Sequence, residues 1–168
     1  MAVSLVGTGL AGNILNSGMP CFCTKLAAQN NVTGDNTKVP VDATAASNLS
    51  VTAERFDLGG DVTGGLFTAP ITGRYQFAYI MGVSGVTSGN SYGSSNIRTS
   101  NQSYIMAHSY NWWNWFNHGS GVNWIAAIEG SIFADLDAND TAHCDIAIYE
   151  ISKTVDISET YFMGALVC

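Results

Sequence analysis

The chain has 168 residues, of which only 11% are charged, with thirteen acids against six bases for a formal charge of −7. The six cations are scattered singly. No basic stripe exists to neutralise phosphates, which excludes nucleic acid as the expected partner and removes any electrostatic hold on anionic lipid. The length suits one domain with a proper core, and the weight of Val, Ile, Thr and aromatic residues over Glu, Lys and Leu makes the class all-β. No apolar run is long enough to span a bilayer, so no membrane insertion is expected.

Residues 1–18 read as an extended, Gly-rich arm, followed by a single β domain over residues 19–168. Gly7-Thr8-Gly9-Leu10-Ala11-Gly12 satisfies the G-x-G-x-x-G pattern of dinucleotide sites. That chemistry needs a following helix to hold the pyrophosphate, and Ser17-Gly18-Met19-Pro20 interrupts the chain after about one turn. Met1 to Leu5 has neither a positive n-region nor a hydrophobic core and is not read as a secretory signal. The arm is expected to dock on a neighbouring subunit or on a larger assembly.

Cys21 to Ala28 is the first expected strand, with Cys21 and Cys23 on one face by period 2. Asn30 to Asn36 reads as a turn, Thr37 to Val41 as a short strand, and Glu54 to Asp61 leads into the central run. Cys21, Cys23, His143 and Cys144 lack the spacing of a zinc knuckle. The four cysteines are therefore expected as buried free thiols, behaving as small hydrophobes.

Leu66 to Val83 is the organising stretch. Pro70 removes a ladder donor and Gly73 admits positive φ, which ends one strand and starts the next. Tyr75, Phe77, Tyr79 and Met81 then alternate with Arg74, Gln76, Ala78 and Ile80, the pattern of a strand crossing a β core.

Phe67-Thr68-Ala69-Pro70, Gly73, Tyr75 and Phe77 resemble the F-x-x-P-x-x-G-x-Y-x-F signature of C1q-like domains, in the C1q and tumour-necrosis-factor group of trimeric jelly rolls. Pro20-Cys21-Phe22-Cys23-Thr24 is loosely similar to that family's opening strand. Lys38 to Val41 and Phe56-Asp57 follow the same order. Gly130 to Thr141 is similar to a strand and turn ending L-x-x-G-D-x-V, with Asn139 where Gly is usual. Tyr161 to Val167 resembles the terminal S-x-F-x-G-x-L-L strand. The resemblance implies a homotrimeric jelly-roll β-sandwich. It implies that Phe67, Tyr75, Phe77, Tyr79, Tyr104, Tyr110 and Phe162 serve the core or the subunit interface. It also implies that the first and last strands are neighbours, within reach of a Cys168 bond to Cys21 or Cys23.

The stretch 84–129 departs from that pattern. Gly89-Asn90-Ser91-Tyr92-Gly93 fits the G-x-S-x-G nucleophile elbow, but the strand-like run after it is not the helix such an elbow requires. Asn101-Gln102 reads as a hairpin turn. Beyond it Tyr104, Met106, His108, Tyr110, Trp112, Asn114 and Phe116 are expected on one face, opposite Ile105, Ala107, Ser109, Asn111, Trp113 and Trp115. Rings on both faces suit a strand between two protein surfaces. They also suit an exposed rim of Trp112, Trp113, Trp115, His118 and Trp124 that stacks on sugars or anchors a protein partner. Asp135 to Asp140 resembles the start of a calcium loop, yet lacks Gly at its sixth place and an acid at its twelfth, Ile146; a plain turn is expected.

No acid, base, nucleophile or metal set emerges, so a non-enzymatic protein without cofactor is expected. The first reading is a trimeric structural or attachment protein of a bacteriophage virion, made in the host cytoplasm. It would be a capsid decoration or a fibre-tip receptor-binding knob, joined to other virion proteins through its arm. The second is a secreted C1q-like carbohydrate- or protein-binding module of a cellular organism. That reading would use the Asn-x-Ser/Thr triplets at Asn31, Asn48, Asn101 and Asn139.

Overall fold

Alternating apolar and polar residues become strands throughout the computed structural model, which describes residues 19–40, 51–110, 125–149 and 152–168. In chain order these are β1 (Cys21–Leu26), β2 (Gln29–Thr33), β3 (Lys38–Pro40), β4 (Val51–Asp57), β5 (Val62–Thr63) and β6 (Leu66–Thr68). They continue as β7 (Gly73–Ser84), β8 (Gly93–Thr99), β9 (Ser103–Ser109), β10 (Ala126–Leu136), β11 (Thr141–Ile148) and β12 (Val155–Leu166). The front sheet runs β10-β7-β12-β1-β4, with β2 also on β12; the back sheet runs β5-β6-β11-β8-β9, with β3 also on β11. After β6 the chain passes front, back, back, front, back, front, and neighbouring strands pair antiparallel. That is the double-sheet arrangement of a jelly roll. All-β architecture is thus the outcome among the described residues.

The core sits between the sheets. Tyr75, Phe77, Tyr79, Met81 and Val83 of β7 point into it, as the alternation requires, while Arg74, Gln76 and Ile80 point out. Phe22 of β1, Phe67 of β6 and Phe162 of β12 meet them from three other strands. Phe22 stacks on Phe67 with ring centroids 5.1 Å apart, and Phe67 meets Phe77 edge-on at 5.4 Å. Each buried ring contributes about 1.5–3 kcal/mol of transfer free energy. Tyr75 keeps its polar end satisfied, donating from Oη to the Ile71 carbonyl at 2.7 Å and so tying the strand to the turn at Pro70.

One carboxylate is buried on the outer side of the back sheet. Asp145 has no exposed side-chain surface; Arg98 Nε donates to it at 2.8 Å and Lys38 Nζ lies 2.9 Å away. Asn96 Nδ2 donates to its other oxygen at 2.5 Å. A buried carboxylate survives where it is paired and hydrogen-bonded in this way.

Several boundaries differ from the sequence reading. Residues 29–33 pair with β12 as a strand, so the expected turn begins only at Gly34. The closing strand begins at Val155, because its first half pairs with β2 and β7. The expected face of β9 is broken by a bulge. Ala107 pairs with Ser95 and Ile105 with Asn96, so Met106 is the extra residue. The parity flips there: Tyr104 and Ala107 face the core, whereas Ile105, His108 and Tyr110 face outward. Bulges re-aim side chains in this manner, and no Gly or Pro announced this one. All four cysteines are free, but only Cys144 is buried as expected; Cys21 and Cys23 are half-buried because they point to the outer side of β1, and Cys168 is exposed at the chain end.

Candidate functional site

The outer surface of the front sheet is built by strand register. Three rows cross it: Phe133, Gln76, Ala165 and Cys21; then Ser131, Ala78, Met163, Cys23 and Phe56; then Glu129, Ile80, Tyr161 and Lys25. Period 2 makes these the residues opposite the core on each strand. Solvated sheet faces ordinarily alternate toward polar residues, yet here Phe133, Phe56 and Ile80 stand 58%, 47% and 41% exposed. A groove of about 340 Å³ runs among Cys21, Phe56, Ala78, Met163 and Ala165. Charges lie at its margins. Lys25 reaches Glu159 at 2.7 Å with its ammonium 5.7 Å from the Tyr161 ring centre. Arg74 clasps Asp135 with Nε and Nη2 at 2.7 and 2.9 Å and holds that carboxyl below its ordinary pKa.

A second feature lies where β11, β8 and β9 end side by side. Register carries Ile148 beside Gly93 and Gly93 beside Ser109, so Tyr149, Tyr92, His108 and Tyr110 converge. Tyr92 is central. Its ring meets Tyr149 at 4.7 Å, His108 at 5.0 Å and Tyr110 at 5.3 Å, and its hydroxyl lies 2.7 Å from His108 Nε2. Neither Tyr92 nor Tyr149 stood out in the sequence. Each is a single tyrosine at a strand end, and only the pairing of three distant segments joins them.

The motif-like stretches resolve as turns. Asn90, inside the G-x-S-x-G stretch, accepts from Thr87 N at 2.8 Å, and its side-chain amide donates to the carbonyls of Gly34 and Tyr149. Strand β8 follows, not a helix. In the Asp135 to Asp140 stretch, Asn139 takes φ 76° and Asp140 N donates to the Asp137 carbonyl at 3.0 Å. The Asp140 carboxylate accepts from Ser100 Oγ, Asn101 Nδ2 and Asp137 N, and those bonds, Ser100 foremost, hold it below the ordinary aspartate pKa. Burial pushes the Cys144 thiol up, so it is no nucleophile at neutral pH. No group of three His, Cys, Asp or Glu suited to a metal occurs among the described residues.

Of the residues singled out in the sequence, Phe67, Tyr75, Phe77, Tyr79 and Phe162 lie in the core. Tyr104 packs on its margin, and Tyr110 stands out of it at 73% exposure. Trp112, Trp113, Trp115, His118 and Trp124 lie outside the described residues, as do the arm and its glycine motif.

No family model and no curated protein matches the sequence. Among solved structures, the globular domain of zebrafish complement 1qA protein aligns at TM-score 0.55 and 15% identity, covering 89% of this chain and 97% of that one. Murine APRIL aligns at TM-score 0.49 and 8% identity, covering 89% of this chain and 99% of that one. The first of these alignments covers most of the chain, which folds as a C1q-like jelly-roll sandwich.

Proposed function

We propose that the protein is a non-enzymatic attachment module that works as a homotrimer, closing the outer face of its front sheet around a threefold axis. The observation that supports this reading is the apolar character of that face. Phe133, Ile80, Met163 and Phe56 lie on strands whose other side already packs the core, so the sheet has two surfaces to bury. Closed symmetry would cover the patch and leave three copies of each strand-end feature, so weak single contacts add by avidity. The setting we favour is the surface of a bacteriophage virion, as a capsid decoration or fibre-tip knob, with the Gly-rich arm as tether. A secreted binding module is the second reading; Asn31, Asn101 and Asn139 of its glycosylation triplets are exposed.

Light scattering tests the assembly. A mass of three 17.8 kDa chains at dilute and concentrated protein is expected, and a monomer at every concentration sinks the reading. Met163→Asp puts a charge at the centre of the face while leaving the core untouched. It should yield a folded monomer, and an unchanged trimer would move the interface elsewhere. Mass spectrometry of purified particles tests the virion setting, with copy number in multiples of three expected and absence of the chain counting against it.

A further inference from the structure

We propose that Tyr92, His108, Tyr110 and Tyr149 form a binding surface for a neutral saccharide, with the exposed ring of Tyr110 as its stacking platform. The inference rests on the attachment reading above and names the ligand class that one end of the sandwich would take.

The rings are held before any ligand arrives. Tyr92 contacts three other rings, and His108 and Tyr110 are a further 5.6 Å pair. Its hydroxyl is bound to His108 Nε2, which fixes the imidazole relative to the phenol. A tyrosine so restrained loses little entropy on binding while offering a large flat area. Tyr110 is 73% exposed, although it touches both Tyr92 and His108, while Tyr92 and Tyr149 are half-buried. An exposed ring braced by neighbours is the shape that a pyranose face covers. The phenol and imidazole groups beside it can both give and accept the hydrogen bonds that a sugar's hydroxyls need.

Charge selects among ligands. None of the ion pairs among the described residues, at Lys25, Lys38, Arg74 and Arg98, includes a member of this cluster. The chain carries a formal charge of −7, which disfavours an anionic ligand. A quaternary ammonium group would suit an acidic protein, but it needs rings standing apart around a cavity. Here the touching ring pairs have centroids 4.7 to 5.6 Å apart, in mutual contact around Tyr92. What remains is an outward aromatic surface with hydroxyls at its rim.

The test is native affinity electrophoresis of the full chain through gels carrying a neutral glucan, mannan or galactan. Light scattering is run on the same samples. Retardation of the wild-type chain by at least one polysaccharide is expected, with Tyr110→Ala weakening it about tenfold or more, as for truncation of an aromatic anchor. Tyr92→Phe, which keeps the ring and removes the hydroxyl, should weaken it by a smaller factor. Migration unaffected by all three polysaccharides overturns the proposal, and so does retardation that Tyr110→Ala leaves unchanged. Binding to a choline matrix that free sugar does not displace overturns it in favour of a cation site. The measured mass keeps the two readings apart: a trimer without sugar binding refutes this inference alone, while a monomer refutes the trimeric reading.

Discussion

Tyr79 of β7 reaches across the sandwich to Ser95 of β8, and their hydroxyl oxygens lie 2.5 Å apart with both side chains fully buried. This is a polar link between the two sheets inside a mostly apolar layer. Burial pushes the Tyr79 phenol well above its ordinary pKa, so it stays protonated. Tyr79→Phe leaves the Ser95 hydroxyl buried without this partner and should destabilise by about 1–2 kcal/mol. Adding Ser95→Ala should cost less than the sum of the single changes, and a double-mutant cycle in denaturant reads the coupling. A coupling of zero would show that the contact contributes nothing net.

The aromatic layer should be more sensitive. Phe77 lies between Phe22, Phe67 and Phe162, wholly buried. Phe77→Ala or Tyr75→Ala should lower stability by about 3–5 kcal/mol in urea unfolding, since the strands around the vacated volume are fixed by their ladders. A loss under about 1 kcal/mol would place that face outside the core.

Gly164 is where the layer has no room. It pairs with Phe77 on one side and Phe22 on the other, and a Cβ there would stand 2.6 Å from Phe77 Cδ1 and 2.7 Å from Phe22 Cε1. Gly164→Ala must displace a packed ring and should cost about 1–3 kcal/mol of thermal or denaturant stability. An unchanged melting temperature would mean that the rings have slack.

Two carboxylates should titrate in opposite directions from the ordinary value of 3.8. Asp140 is lowered by its bonds to Ser100, Asp137 N and Asn101, while Asp61 is raised, chiefly by burial and then by Asp57. A lowered folded pKa means that Asp140 adds stability above 3.8, lost as pH falls through its folded value. A raised one means that Asp61 adds stability below 3.8, lost as pH rises through its folded value. Carboxyl NMR titration checks both, and Asp140→Asn should abolish only the acid-side loss.

The strand content was legible because its signal is local. The alternation from Arg74 to Met81 needs no partner to be read, and Pro70 punctuates it by backbone chemistry alone; Gly73 does not take the positive φ expected of it, and a Cβ there would instead stand 2.5 Å from Leu166 Cδ1. The bulge at Met106 was not legible. Its cause is the misfit between β8 and β9, which shifts register between Ser95 and Asn96 and turns His108 and Tyr110 outward. The strand at residues 29–33 was hidden for the same reason: Asn30 and Asn31 favour turns, and pairing with β12 outweighs that preference.

By itself the sequence determined the all-β class, the inward set on β7 and the order of the segments that resemble C1q-like domains, since periodicity and turn residues act over a few positions. Tertiary structure alone decided which residues share a surface. Tyr149, Tyr92 and His108 come from three segments, and the rows from Phe133 to Cys21 and from Ser131 to Phe56 come from four and five strands. Such surfaces are products of strand register, a relation between segments far apart in the chain, and no local pattern encodes it.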